Sequence, residues 1–138
     1  DFLVETGGQR TTQTLLHPRS VVVTAAAAAR VDALDTPYFR LGDPAGLESD
    51  AMSAAELGFA GKAAIHPEQL PALNRIFAPA PDRVAWAERV LATAGRATAG
   101  VFVVDGEMAD AVTVRIAQRV LAVARAMNEK ADRSEADA

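Results

Sequence analysis

Residues 58–69 read Gly-Phe-Ala-Gly-Lys-Ala-Ala-Ile-His-Pro-Glu-Gln, and their reading decides the fold. Gly58 can take the left-handed backbone that stops a preceding helix. The run from Lys62 to Ile65 is short and mostly apolar, as a strand covered on both faces should be. His66-Pro67-Glu68-Gln69 then opens a helix, with Pro67 at the first helical position, where its missing N–H costs nothing. A strand that ends directly in a helix start aims backbone amides at the strand's carboxyl end. Ligands bind there in α/β folds, and the helix dipole favours anionic or carbonyl-bearing groups. The same residues also describe an ordinary strand–helix junction with His66 as its cap, and the junction alone does not separate the two readings.

Upstream, the pattern predicts more of the same alternation. Residues 1–14 contain Gly7-Gly8 and four threonines and read as a strand end running into a loop. His17-Pro18 starts a helix that runs through three valines and an alanine tract to Arg30, and its small apolar character all round predicts burial. Residues 31–36 form the next strand, closed by Pro37. Asp43 caps a further helix with Pro44 at its first position, and Leu47, Ala51, Ala54 and Ala55 line one face. The resulting α-β-α-β-α order with short connections is the mark of a parallel sheet with crossover helices. Two or three strands do not close such a sheet, so the segment reads as part of a larger one.

After residue 78 the character changes. Pro79 and Pro81 make a stiff connection. Residues 82–94 form an amphipathic helix with Val84, Ala87, Leu91 and Ala94 inward, and Trp86 is expected to anchor it on the preceding unit. Residues 101–104 and 107–109 flank Asp105-Gly106, a strong hairpin turn pair. Asp110 caps a last helix, with Val114, Leu121, Ala124 and Met127 at helical spacing. The charged tail from residue 128 is expected to fray.

Composition narrows the function. Half of the 138 residues are apolar, enough for a sizeable core, and the net charge of −4 argues against a nucleic-acid surface. No run of about 20 apolar residues suggests a membrane span. The absence of cysteine excludes disulfides and thiolate metal sites and suits a cytoplasmic setting. No His-x-x-x-His pair and no glycine-rich phosphate loop is present. Three carboxylates at strand ends or caps remain as candidates: Asp1, Asp35 and Asp110. Magnesium accepts one or two such oxygens and keeps waters or a chelating substrate for the rest. Equally, Asp35 can satisfy a turn and Asp110 can simply cap its helix.

Read together, Gly58-Phe59-x-Gly61-Lys62-Ala63-Ala64-Ile65-His66-Pro67-x-Gln69, Phe77-x-Pro79, Trp86-Ala87 and Asp105-Gly106-x-Met108-x-Asp110 resemble the C-terminal half of the citrate lyase beta-subunit-like family. That group includes malyl-CoA and citramalyl-CoA lyases. Arg19-Ser20 and the stretch from Ala33 to Tyr38 match at similar separations, and the likeness extends to about Met127.

The resemblance implies the last part of a TIM (β/α)8 barrel in residues 1–78, with residues 31–36 and 62–65 as its final strands. Residues 79–138 would be a mostly helical C-terminal extension reaching a neighbouring subunit of a homotrimer or hexamer. It implies a magnesium-dependent carbon–carbon lyase that cleaves or forms a 3-hydroxyacyl-CoA thioester, with an acyl-CoA and a 2-oxo acid as partners. Asp1 matches the family's metal-binding aspartate, Asp110 its catalytic acid/base, and Ile65, His66 and Pro67 would help hold the acyl-CoA. The family's glutamate ligand and substrate arginine belong to the half that precedes residue 1. Val112 stands where the family usually has proline, which bears on how Asp110 is positioned. Two other readings remain open: hydrolysis of the same thioesters, and a catalytically inactive barrel remnant serving as an interaction module.

Overall fold

Two short parallel strands, β1 (Leu34–Asp35) and β2 (Gly61–Lys62), lie side by side with Leu34 opposite Gly61 and Asp35 opposite Lys62. They belong to a computed structural model that describes residues 2–97 and 100–136. The chain divides into two units, Asp1–Phe77 and Ala78–Ala138.

In the first unit the strands follow or precede α1 (Phe2–Thr6), α2 (Thr12–Ala29), α3 (Pro44–Leu57) and α4 (Leu70–Phe77). A single 3-10 turn, Pro67–Gln69, leads into α4. The caps follow the sequence chemistry. The Asp43 carboxylate accepts from the Gly46 amide, Pro44 sits in the first turn of α3, and Gly58 ends that helix at φ 99°. A side chain at Gly58 would be strained in this left-handed region, whereas glycine is free to adopt it. Leu47 and Ala51 of α3 and Leu73 of α4 form the apolar centre, flanked by Tyr38, Ala72, Ile76 and Phe77. Ala54 is also fully buried.

Three expectations for this unit fail. Residues 1–14 do not run from strand into loop: α1 forms at Phe2, and α2 begins at Thr12 rather than at His17. The Thr11 hydroxyl accepts from the Thr14 amide and caps α2, which leaves Pro18 inside the helix. An internal proline forgoes one ladder bond, and here the helix continues past it through the valines and the alanine tract to Ala29. The strands are also shorter than residues 31–36 and 62–65. Backbone bonds from Ala60 N to Ala33 O and from Ala63 N to Asp35 O bracket the pairing. Beyond Ala63 the chain turns, because the Ile65 amide is taken by a side chain instead of a strand.

The second unit is a helix, a hairpin and a helix: α5 (Pro81–Ala94), β3 (Phe102–Val104), β4 (Glu107–Ala109) and α6 (Ala111–Ala136). Asp105 and Gly106 both have positive φ, as the tight antiparallel turn requires. Ala87 and Val90 of α5, Val104, Ala109 and Ala117 of α6 are buried together. Ala87 and Ala117, fully excluded from solvent, let α5 and α6 approach closely. Trp86 packs against this cluster, under the Arg83 guanidinium at 3.8 Å. The charged end of the chain does not break the helix, for α6 continues to Ala136 with no glycine or proline to interrupt it.

Candidate functional site

The carboxyl ends of β1 and β2 present Asp35 and Lys62, and the neighbouring helices supply opposite charges. Arg19 comes from α2 and Asp50 from α3. The Arg19 Nη2 and Lys62 Nζ lie 2.6 Å and 2.7 Å from the same oxygen, Asp35 Oδ2. Lys62 Nζ is also 2.6 Å from Asp50 Oδ2, and Arg19 Nη1 is 3.4 Å from Asp50 Oδ1. Two cations thus meet two carboxylates in a closed, neutral set. The Lys62 side chain is completely buried and that of Asp35 is 3% exposed. The Arg19 guanidinium also lies over the Phe59 ring at 5.8 Å. Removing four such charges from water is tolerable only because each has partners. Asp35 Oδ2 is therefore committed to Arg19 and Lys62.

The loops above these strands are tied by Gln69. Its Oε1 accepts from the Ile65 amide at 2.9 Å, and its Nε2 donates to the Tyr38 carbonyl at 2.8 Å. Buried amide side chains must satisfy both ends, and this one does so by joining the loop after β1 to the loop after β2. The Tyr38 hydroxyl in turn donates to Asp43 Oδ2 at 2.6 Å. That bond raises the phenol's pKa and, with the Gly46 amide, lowers that of the Asp43 carboxyl.

Ile65, His66 and Pro67 sit together at this junction. Ile65 has a half-exposed side chain and a pinned amide. His66 Nδ1 accepts from the Glu68 amide at 3.2 Å, so that nitrogen must carry a lone pair and the imidazole acts as a cap. Pro67 opens the 3-10 turn. A cleft of about 250 Å³ lies alongside, lined by Arg40, Asp43, Leu47, His66 and Gln69 among others.

In the second unit Asp110 caps α6. Its Oδ1 accepts from the Val112 amide at 2.9 Å, the Thr113 amide at 3.0 Å and the Thr113 hydroxyl at 3.2 Å. The Asp110 amide donates back to Thr113 Oγ1 at 3.3 Å. The Thr113 amide is the largest cause of a lowered pKa, with the Val112 amide, the Thr113 hydroxyl and the Arg115 charge adding to it against partial burial. The carboxyl is accordingly an anion near neutral pH. Beside it, Arg89 grips Asp105 through two nitrogens, fixing the hairpin turn to α5.

Asp1 lies outside the described residues. Among the described residues no three His, Cys, Asp or Glu side chains gather as metal ligands. No helix among them is long and apolar enough to cross a membrane. The buried charge set and the Gln69 tie were the features that sequence reading missed. The available signal was a lysine inside an apolar strand and an arginine inside an apolar helix, since a buried cation demands a partner.

No protein-family model matches the chain. It is 32% identical over 135 residues to the mitochondrial citramalyl-CoA lyase of Rattus norvegicus, covering 94% of this chain and 40% of that protein. It is 37% identical over 105 residues to the citrate lyase subunit beta-like protein of Mycobacterium tuberculosis, covering 76% of this chain and 38% of that one. Among solved structures, CitE from Mycobacterium tuberculosis, in complex with magnesium, acetoacetate and coenzyme A, matches with a TM-score of 0.68 and 35% identity, over 86% of this chain and 43% of that one. The chain thus spans about two fifths of the length of the curated relatives it matches.

Proposed function

Because this chain belongs to the citrate lyase beta-subunit-like family, we propose that it is part of a carbon–carbon lyase acting on a 3-hydroxyacyl-CoA thioester. In this reading the first unit is the closing part of a (β/α)8 barrel and residues 79–138 form its C-terminal extension. The observation that carries it is the βα junction at Ile65-His66-Pro67, held at the carboxyl ends of two parallel strands by Gln69. The exposed Leu34, Phe39 and Leu41 around these strands fit a sheet that continues on further strands.

Each proton movement can be written for the chain's own residues. Asp110, ionised near neutral pH, accepts the hydroxyl proton of the 3-hydroxyacyl-CoA. The carbon–carbon bond then breaks, its electron pair passing to the α-carbon of the departing acyl-CoA while the hydroxyl carbon becomes the carbonyl of a 2-oxo acid. Asp110 returns the proton to that α-carbon, and atoms and charge balance. A positioned group of this kind supplies about 10² to 10⁴ in rate. The backbone at Ile65-His66-Pro67 holds the acyl-CoA.

Magnesium dependence carries over from the relatives, and Asp1 is the ligand this chain contributes. When bound, the ion neutralises oxygen charge on the acid moiety. The described residues gather no ligand set of their own. The outward apolar face of the hairpin, Val103 opposite Met108 with Val101 beside them, supports docking on a neighbouring subunit in a homotrimer or hexamer. A cytoplasmic setting is proposed from the lack of cysteine.

The test is product analysis of the full-length protein with magnesium and malyl- or citramalyl-CoA. Equal amounts of acyl-CoA and 2-oxo acid are expected. Free thiol without a 2-oxo acid would identify a thioester hydrolase, and no turnover of either substrate would identify an inactive interaction module.

A further inference from the structure

The Asp110 carboxylate is held by one oxygen only. An oxygen with two lone pairs is saturated by the three donors that reach Oδ1. None of the described hydrogen bonds falls on Oδ2. The side chain is thereby fixed in rotation, and its two oxygens are made unequal.

We propose that Thr113, together with the Val112 amide, positions Asp110 so that Oδ2 is the oxygen that exchanges the proton. This rests on the reading of Asp110 as the catalytic acid/base and deepens it. Thr113 acts twice: its hydroxyl donates to Oδ1, and the same oxygen accepts from the Asp110 amide. That reciprocal pair closes the first turn of α6 around the carboxylate, much as a capping box does. The Val112 contribution depends on residue type, since a proline at that position would have no N–H to give.

The charged surroundings do not provide the same control. The elements packed on α6 carry Asp82, Arg83, Glu88 and Arg89 on α5, whose start lies toward Ala124 and Met127 rather than Asp110, and Glu107 on β4. Among charged neighbours Arg115, on α6 itself, acts most strongly on the carboxyl, and it ranks behind the hydrogen bonds of Thr113 and Val112. Hydrogen bonds from the first turn therefore dominate both the orientation and the ionisation of the group.

The experiment follows the Asp110 carboxyl carbon by NMR across pH in the full-length protein, alongside kcat and KM. Wild type is expected to titrate below the ordinary aspartate value of about 3.9. Thr113→Val and Val112→Pro should each raise that midpoint, and Thr113→Val should lower kcat about tenfold, a part of what acid–base catalysis supplies, with KM unchanged. Thr113→Ser keeps the hydroxyl and should restore both values, which separates lost positioning from lost folding. An unchanged midpoint and kcat in Thr113→Val would overturn the proposal. A raised midpoint combined with full turnover of Asp110→Asn would overturn its catalytic part and the parent reading of Asp110, while leaving the hydrogen bonds as a structural cap.

Discussion

Asp35 and Asp110 are both carboxylates at the end of a strand, yet the two units of the chain treat them in opposite ways. Asp35 is buried and receives two cations on one oxygen, Arg19 and Lys62, inside a neutral set of four charges. Asp110 is half-buried and held through Oδ1 alone by amides and a hydroxyl of its own helix. A carboxylate compensated by fixed cations in a dry interior is part of the frame, because moving it strands the charges around it. One held chiefly by neutral donors at a helix start keeps its charge and can accept a proton. The difference teaches that position at a strand end does not set a carboxylate's role, and its partners are what favour the proposal of Asp110 as the reactive acid.

Breaking the frame should have the largest effect on stability. Lys62→Met leaves Asp35 and Asp50 with Arg19 as their only cation and adds a net buried charge. Loss of one partner from such a set costs about 3–5 kcal/mol, to be read as the shift in a urea or thermal unfolding curve. Little change would mean that the cluster relaxes into water. Gly46→Ala should cost less, about 1–3 kcal/mol as overpacking does. A Cβ there would stand 2.1 Å from the Tyr38 hydroxyl and 2.3 Å from Asp43 Oδ2, so the Tyr38–Asp43 bond must give way. Its measurable sign is a lower melting temperature together with a Tyr38 phenol that titrates closer to its ordinary value.

The smallest effect is the pH dependence of folding. Asp43, Asp105 and Asp110 all have lowered folded pKa values, caused chiefly by the Tyr38 hydroxyl, by Arg89 and by the Thr113 amide respectively. A carboxyl that binds its proton less tightly when folded adds stability above the unfolded value, about pH 4, and loses it as pH falls through the lower folded value. Melting temperature should therefore hold between about pH 5 and 7 and drop below about 4. Asp105→Asn should flatten that acid slope, because Arg89 then has no carboxylate to lose.

Local features of both units were legible in the sequence. Asp43 with Pro44, Gly58, Asp105-Gly106 and the Asp110 cap each depend on residues within four positions of one another, and each forms as its chemistry dictates. The start of α2 was equally local and was still misread. The Thr11–Thr14 cap is a weaker signal than the apparent helix start at His17-Pro18, and a helix that tolerates an internal proline defeats the rule used to place its start. The charge set was beyond reach for another reason. Arg19, Asp35, Asp50 and Lys62 are brought together by the crossover of α2 and α3 over two parallel strands, and no spacing along the chain encodes which cation meets which carboxylate. Gln69 was visible as part of a motif, yet its bond to the Tyr38 carbonyl spans 31 residues and needed the fold to reveal it.

The most direct measurement sets Asp110→Asn beside Lys62→Met in the full-length protein with magnesium, recording thioester cleavage and melting temperature for each. Asparagine caps a helix about as well as aspartate, so Asp110→Asn should melt like wild type while losing at least about 10²-fold in kcat. Lys62→Met should show the reverse pattern, a large loss of stability with residual turnover wherever the fold persists. An Asp110→Asn protein that cleaves the thioester at the wild-type rate would contradict the account.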